Sequence, residues 1–99
     1  MEDITVQQLK ARQAANEALN ILDVREEWEY EEDNMGAKLI PLGDIPARID
    51  EIADWKDQEM IVHCKSGGRS GRAKKYLESQ GFTKVRNMIG GMLAYREED

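Results

Sequence analysis

The apolar residues of this chain fall in short bursts separated by longer, mostly polar stretches. Leu19 to Val24, Lys38 to Pro41, Met60 to Cys64 and Lys84 to Met88 are brief runs carrying Ile, Leu, Val or Met. Runs of that length bounded by polar or turn residues read as strands. The stretches between them carry helix signals. Thr5 with Gln8 has the form of a capping box and opens a helix over Val6 to about Asn16, with Leu9 on its inner face. Glu26 to Glu32 is one or two helical turns. Asp44 caps a helix with Pro46 in its first turn, running to about Ala53 with Ile45, Ile49 and Ile52 inward. Ser70 to Gln80 is a helix with Gly81 as its C-terminal stop, and Gly91 to about Glu97 is the last helix. Strands alternating with helices predict an α/β architecture, a three-layer fold with a central, mostly parallel sheet flanked by helices. In such sheets ligands gather beyond the carboxyl ends of the strands. Cys64 stands at one of those ends.

Composition narrows the classes. A chain of 99 residues is expected to form one domain, residues 1–99. Its net charge of −6 argues against nucleic acid or an acidic membrane surface as partner. No apolar stretch has the length of a bilayer span, and the N-terminus has no signal-peptide pattern. A single cysteine excludes an internal disulfide. With no CxxC pair and one histidine, neither a metal site nor a cofactor is expected. The expected compartment is the reducing cytoplasm, where a lone thiol stays free.

Residues 61 to 72 read Ile-Val-His-Cys-Lys-Ser-Gly-Gly-Arg-Ser-Gly-Arg. An apolar strand ends at Cys64, and a small, glycine-rich, basic loop leads into a helix. From Lys65 to Lys75 there are five basic residues and no acidic one, in an otherwise acidic protein. A strand feeding a tight loop into a helix N-terminus makes a cradle of backbone N–H groups with a positive dipole behind it. A thiol there is expected to lose its proton easily. Gly67 and Gly68 are expected to take the positive φ angles that turn the N–H groups inward. Lys65, Ser66, Gly67, Gly68, Arg69 and Ser70 are the candidate anion-binding residues around Cys64.

These residues resemble the rhodanese family of single-domain sulfurtransferases. The resemblance is carried by Leu22-Asp23-Val24-Arg25-Glu26, by Glu29 to Glu32, by Ile40-Pro41-Leu42-Gly43 and by Cys64 to Ser70. It continues through Gly81-Phe82 and from Asn87 through Gly90-Gly91 to Tyr95. It implies that Cys64 takes a sulfane sulfur from an anionic donor such as thiosulfate, holds it as a persulfide and passes it to a thiol or protein acceptor. Lys65 and Arg69 would attract the donor and offset charge on departing sulfite.

Alternatives remain at this point. His63-Cys64 with Arg69-Ser70 also resembles the signature of cysteine phosphatases and arsenate reductases, but four residues separate Cys64 from Arg69 and those loops carry one more. A regulatory binding module on the same cradle is a third reading. The glycines lack the G-x-G-x-x-G spacing, which speaks against a nucleotide. His63 is read as a strand residue packed beside the loop, and Asp23 with Arg25 as a structural ion pair near a neighbouring strand end. The run Glu26 to Asp33 holds six carboxylates in eight residues and is read as a solvated helix face rather than a docking surface for a basic partner. Trp28, Trp55 and Tyr95 are read as core or rim packing. Two departures from the family pattern bear on acceptor preference: a shortened stretch Asn34-Met35-Gly36-Ala37, and Tyr95 where Trp is common.

Overall fold

The computed structural model describes residues 1–98. Four strands form one parallel sheet in the order β2-β1-β3-β4, with β1 at Ile21–Asp23, β2 at Lys38–Leu39, β3 at Met60–His63 and β4 at Val85–Asn87. Every pair is parallel, so each connection crosses over the sheet, and each carries a helix. The edge beyond β4 is partly covered by a single bridge from Ile4 to Met88.

The helices are α1 (Val6–Ala14), α2 (Glu27–Glu32), α3 (Ile45–Arg48), α4 (Gly68–Ser79) and α5 (Gly91–Glu97). Alternation along the strands divides the core in two. Leu22, Val24, Met60, Val62 and Cys64 face Ile45 and Ile52 of the β2–β3 connection and Ala73 and Leu77 of α4. Ile21 and Ile61 face Leu9 of α1, with Ala94 and Tyr95 of α5 packed against that cluster. The sheet is thus a middle layer between two helical ones.

The Thr5–Gln8 capping box is formed in both directions. At the other end of the fold, α4 closes with Gly81 donating to the Glu78 carbonyl and Phe82 to that of Leu77, the Schellman pattern. Two expectations need correction. The helix expected from Asp44 to about Ala53 is α-helical only over Ile45–Arg48 and continues as a 3-10 helix over Ile49–Trp55, with non-helical angles at Ile52. Asp44 makes no side-chain cap, because Leu42–Asp44 is itself a 3-10 turn and Asp44 sits in the α region rather than extended. The second correction is the start of α4, at Gly68 instead of Ser70, which makes the loop after Cys64 tighter than expected.

β1 and β3 are adjacent, yet the chain leaves β1 toward β2 and leaves β3 toward β4. Their shared carboxyl end is therefore the point where connection direction reverses, the place where parallel sheets open a crevice. Cys64 is the first residue past β3 there.

Candidate functional site

The loop around Cys64 is built by three separate elements. The first is the start of α4. Gly67 takes φ +112°, a left-handed angle closed to most side chains, and its N–H donates to Cys64 Sγ at 3.1 Å. Gly68 does not need that freedom: it is the first residue of α4, a correction to the expectation of two positive-φ glycines. Ser70, fully buried on the first turn, directs its hydroxyl at Sγ from 3.3 Å.

The second element is α5. The N–H groups of Met92 and Leu93 donate to the carbonyls of Cys64 and Lys65 at 2.9 and 3.1 Å. A trans peptide points its C=O and N–H in opposite directions. Pinning the Lys65 carbonyl onto α5 therefore turns the Ser66 N–H the other way, toward the sulfur. Gly91, at φ +60°, lets α5 come this close; a side chain there would run into the Lys65 carbonyl. The third element is β4. Asn87 Oδ1, 2.6 Å from the Ser70 hydroxyl, competes with Cys64 Sγ for its single proton, and Asn87 Nδ2 donates to the Gly67 carbonyl at 3.3 Å.

Burial raises the pKa of the Cys64 thiol, but the Ser70 hydroxyl and the backbone amides of Ser70, Gly67 and Ser66 lower it by more, so it lies below the ordinary thiol value. Cys64 is only 1% exposed and belongs to the core cluster. Burial alone would describe an inert thiol. Donors converging on Sγ describe a site that favours the anion.

The sequence-derived residues divide. Ser66, Gly67 and Ser70 surround the sulfur. Lys65 is exposed and makes no ion pair among the described residues. Arg69 is held: its guanidinium meets the Glu29 carboxylate of α2 through two hydrogen bonds of 2.6 and 2.9 Å. Arg69, with burial opposing, holds Glu29 at a pKa of about 2. The loop arginine is thus a strap between the loop and α2 as well as a charge.

Asp23 and Arg25 form the buried structural pair expected, with Arg25 Nη2 to Asp23 Oδ2 at 2.8 Å. His63 sits beside Asp23 in register and 3.7 Å from its carboxylate, with no hydrogen bond to either ring nitrogen. Burial lowers its pKa, with the Asp23 charge opposing, and the ring is neutral at pH 7. Strand alternation turns it away from the Cys64 face. The sequence reading puts Glu29 on a solvated helix face, which the structure corrects, since Glu29 is buried and bound by Arg69; it gives no site role to Asn87 or Gly91. The one signal available was their place near other strand ends and in a glycine pair.

The sequence profile of the rhodanese-like domain matches residues 5–98. The chain belongs to the rhodanese-like family. A Bacillus subtilis rhodanese relative, YtwF, named as a sulfurtransferase, is 38% identical over 99 residues, covering 99% of this chain and 93% of that protein. Another, YrkF, named as a sulfur carrier protein, is 40% identical over 91 residues, covering 91% of this chain but only 48% of that protein. The crystal structure of a rhodanese-like domain protein from Staphylococcus aureus superposes with a TM-score of 0.86 at 32% identity, over 96% of this chain and 91% of that one. In general terms the chain is a rhodanese-type sulfurtransferase.

Proposed function

We propose that Cys64 carries a sulfane sulfur between thiosulfate, or a related anionic donor, and a thiophilic acceptor. The observation that carries this reading is the convergence of the Gly67 N–H and the Ser70 hydroxyl on Cys64 Sγ, with further loop amides lowering its pKa. The Cys64 thiolate attacks the outer sulfur of thiosulfate. A new S–S bond forms at Sγ, the bond to the sulfonate sulfur breaks, and its electron pair leaves with sulfite. The same amides then face the terminal sulfur of the persulfide anion, so donors used for the thiolate stabilise the product as well. Lys65, next to Cys64 in the chain and without an ion pair among the described residues, is the cation we assign to the donor and the departing sulfite. The names of relatives as sulfurtransferase and sulfur carrier agree with this chemistry.

The proposal is tested by turnover with thiosulfate and cyanide. Cys64→Ser is nearly isosteric, so it should keep the fold and lose transfer entirely. Measurable thiocyanate production by a folded Cys64→Ser protein would mean that another group carries the sulfur. Lys65→Ala should lower kcat/KM for thiosulfate by about ten-fold to a hundred-fold, the value of a charge-assisted contact of roughly 1.5–3 kcal/mol. Exposed Lys75 on α4 serves as control, and equal losses at the two positions would remove Lys65 from the site.

A further inference from the structure

Large apolar side chains are rarely left in water without a use when they cluster. Trp28 is 63% exposed and Leu93 is 53% exposed, and both line one groove of about 420 Å³ between α2 and α5. Lys65, the residue after Cys64, lines it together with Met92, whose N–H donates to the Cys64 carbonyl. The groove is far larger than a donor ion of thiosulfate size requires. Most charges along it are satisfied within the protein: Arg25 by Asp23, Glu29 by Arg69, and Asp33 by Arg96. What remains is polarised. Lys65, next to Cys64 in the chain, lines one part of it, while Glu32 and Glu97 line the groove without an ion pair among the described residues, and exposed Glu31 adds to the α2 side.

Such a groove suits an extended ligand with an anionic reacting end, an apolar middle and a cationic flank. We propose that it docks a protein acceptor whose transferring cysteine lies on an exposed segment bearing an apolar residue and Lys or Arg. This rests on the reading of Cys64 as the sulfur carrier. The acceptor thiolate attacks the terminal sulfur of the Cys64 persulfide. An S–S bond forms on the acceptor, the S–S bond to Cys64 breaks, and its electron pair returns to Cys64 Sγ as thiolate. The acceptor leaves as a persulfide with its proton, and no outside oxidant or reductant takes part. The acidic rim that repels small anions attracts this partner and fixes its direction.

The test is single-turnover discharge of the full chain, loaded with thiosulfate and freed of excess donor, with loading verified by intact mass. Three acceptors are compared: a cysteine peptide containing Leu and Lys, the same peptide with Glu for Lys, and dithiothreitol. At low salt the Lys peptide should discharge Cys64 about ten-fold faster than the Glu peptide. Trp28→Ala and Glu32→Lys should each remove most of that preference while discharge by dithiothreitol stays unchanged. Equal rates for the two peptides with normally loaded protein, or a preference that survives both substitutions, would overturn the docking proposal and leave the carrier reading intact. A protein that never loads would overturn both.

Discussion

At Cys64 opposing forces act on one sulfur. Burial raises the thiol pKa and the Ser70 hydroxyl with the loop amides lowers it. Ser70→Ala removes the hydroxyl that lowers it most, so the thiol pKa should rise. The pH dependence of Cys64 alkylation reads this directly, and an unmoved profile would mean that the hydroxyl serves only Asn87. Glu29 restrains the same site from another side. In Glu29→Gln the Arg69 charge is no longer neutralised, so the thiol pKa should fall and KM for thiosulfate should drop several-fold. If the variant instead loses turnover with an unmoved alkylation profile, Arg69 matters as a strap and not as a charge. His63 carries a different prediction. Its folded pKa lies below the unfolded value of about 6.5, so the unfolded chain binds the extra proton first and stability falls as pH drops below that point. Glu29 and Glu59, held near 2 by their arginine partners, lose their contribution only below about pH 4.5. Between pH 7 and 5 the melting temperature should therefore fall, and His63→Leu should flatten that slope.

Three elements converge on one loop, and their dependence on each other is the property to test at this scale. Gly91→Ala forces a methyl into the Lys65 carbonyl at a positive φ, so α5 must move off the loop. Overpacking of this kind costs about 1–3 kcal/mol, and the loss of transfer should exceed what the stability loss explains, because the amides lose their aim. Transfer falling no further than the folded fraction would show that α5 does not orient the loop. Inserting one small residue after Gly68 should weaken sulfur transfer, and hydrolysis of aryl phosphates by the unmodified loop should be negligible. The elements themselves were legible in the sequence wherever local chemistry decides them: the Thr5–Gln8 cap, the Gly81 stop and the buried run Met60 to His63. The break between α3 and the 3-10 helix at Ile49–Trp55 was not, because Ile45, Ile49 and Ile52 satisfy either helix when one face is buried. The loop residues were legible, since Cys64 to Ser70 are contiguous. Glu29 and Asn87 were not, being 40 and 17 positions from the loop residues they bind.

For the molecule as a whole, charge is the variable. The net charge is −6, Arg69 is neutralised by Glu29, and the acidic α2 stands beside the loop. The long-range field therefore repels a thiosulfate dianion even though Lys65 attracts it at contact. Raising ionic strength from about 0.01 M to 0.1 M shortens the Debye length from roughly 30 Å to 10 Å. The repulsive field is screened more than the contact, so kcat/KM for thiosulfate should rise with salt. A steady decline would show that local attraction dominates. The sequence reading takes Lys65 and Arg69 as free to meet the donor; the Glu29–Arg69 pair occupies Arg69 and changes the expected sign. No helix among the described residues is long and apolar enough to cross a membrane.

The central claim is that Cys64 holds a sulfane sulfur, and intact mass spectrometry after incubation with thiosulfate tests it most directly. The account predicts a gain of one sulfur atom, removed by cyanide or dithiothreitol and absent in Cys64→Ser. A protein whose mass stays unchanged at every donor concentration, with its thiol still open to alkylation, would contradict it.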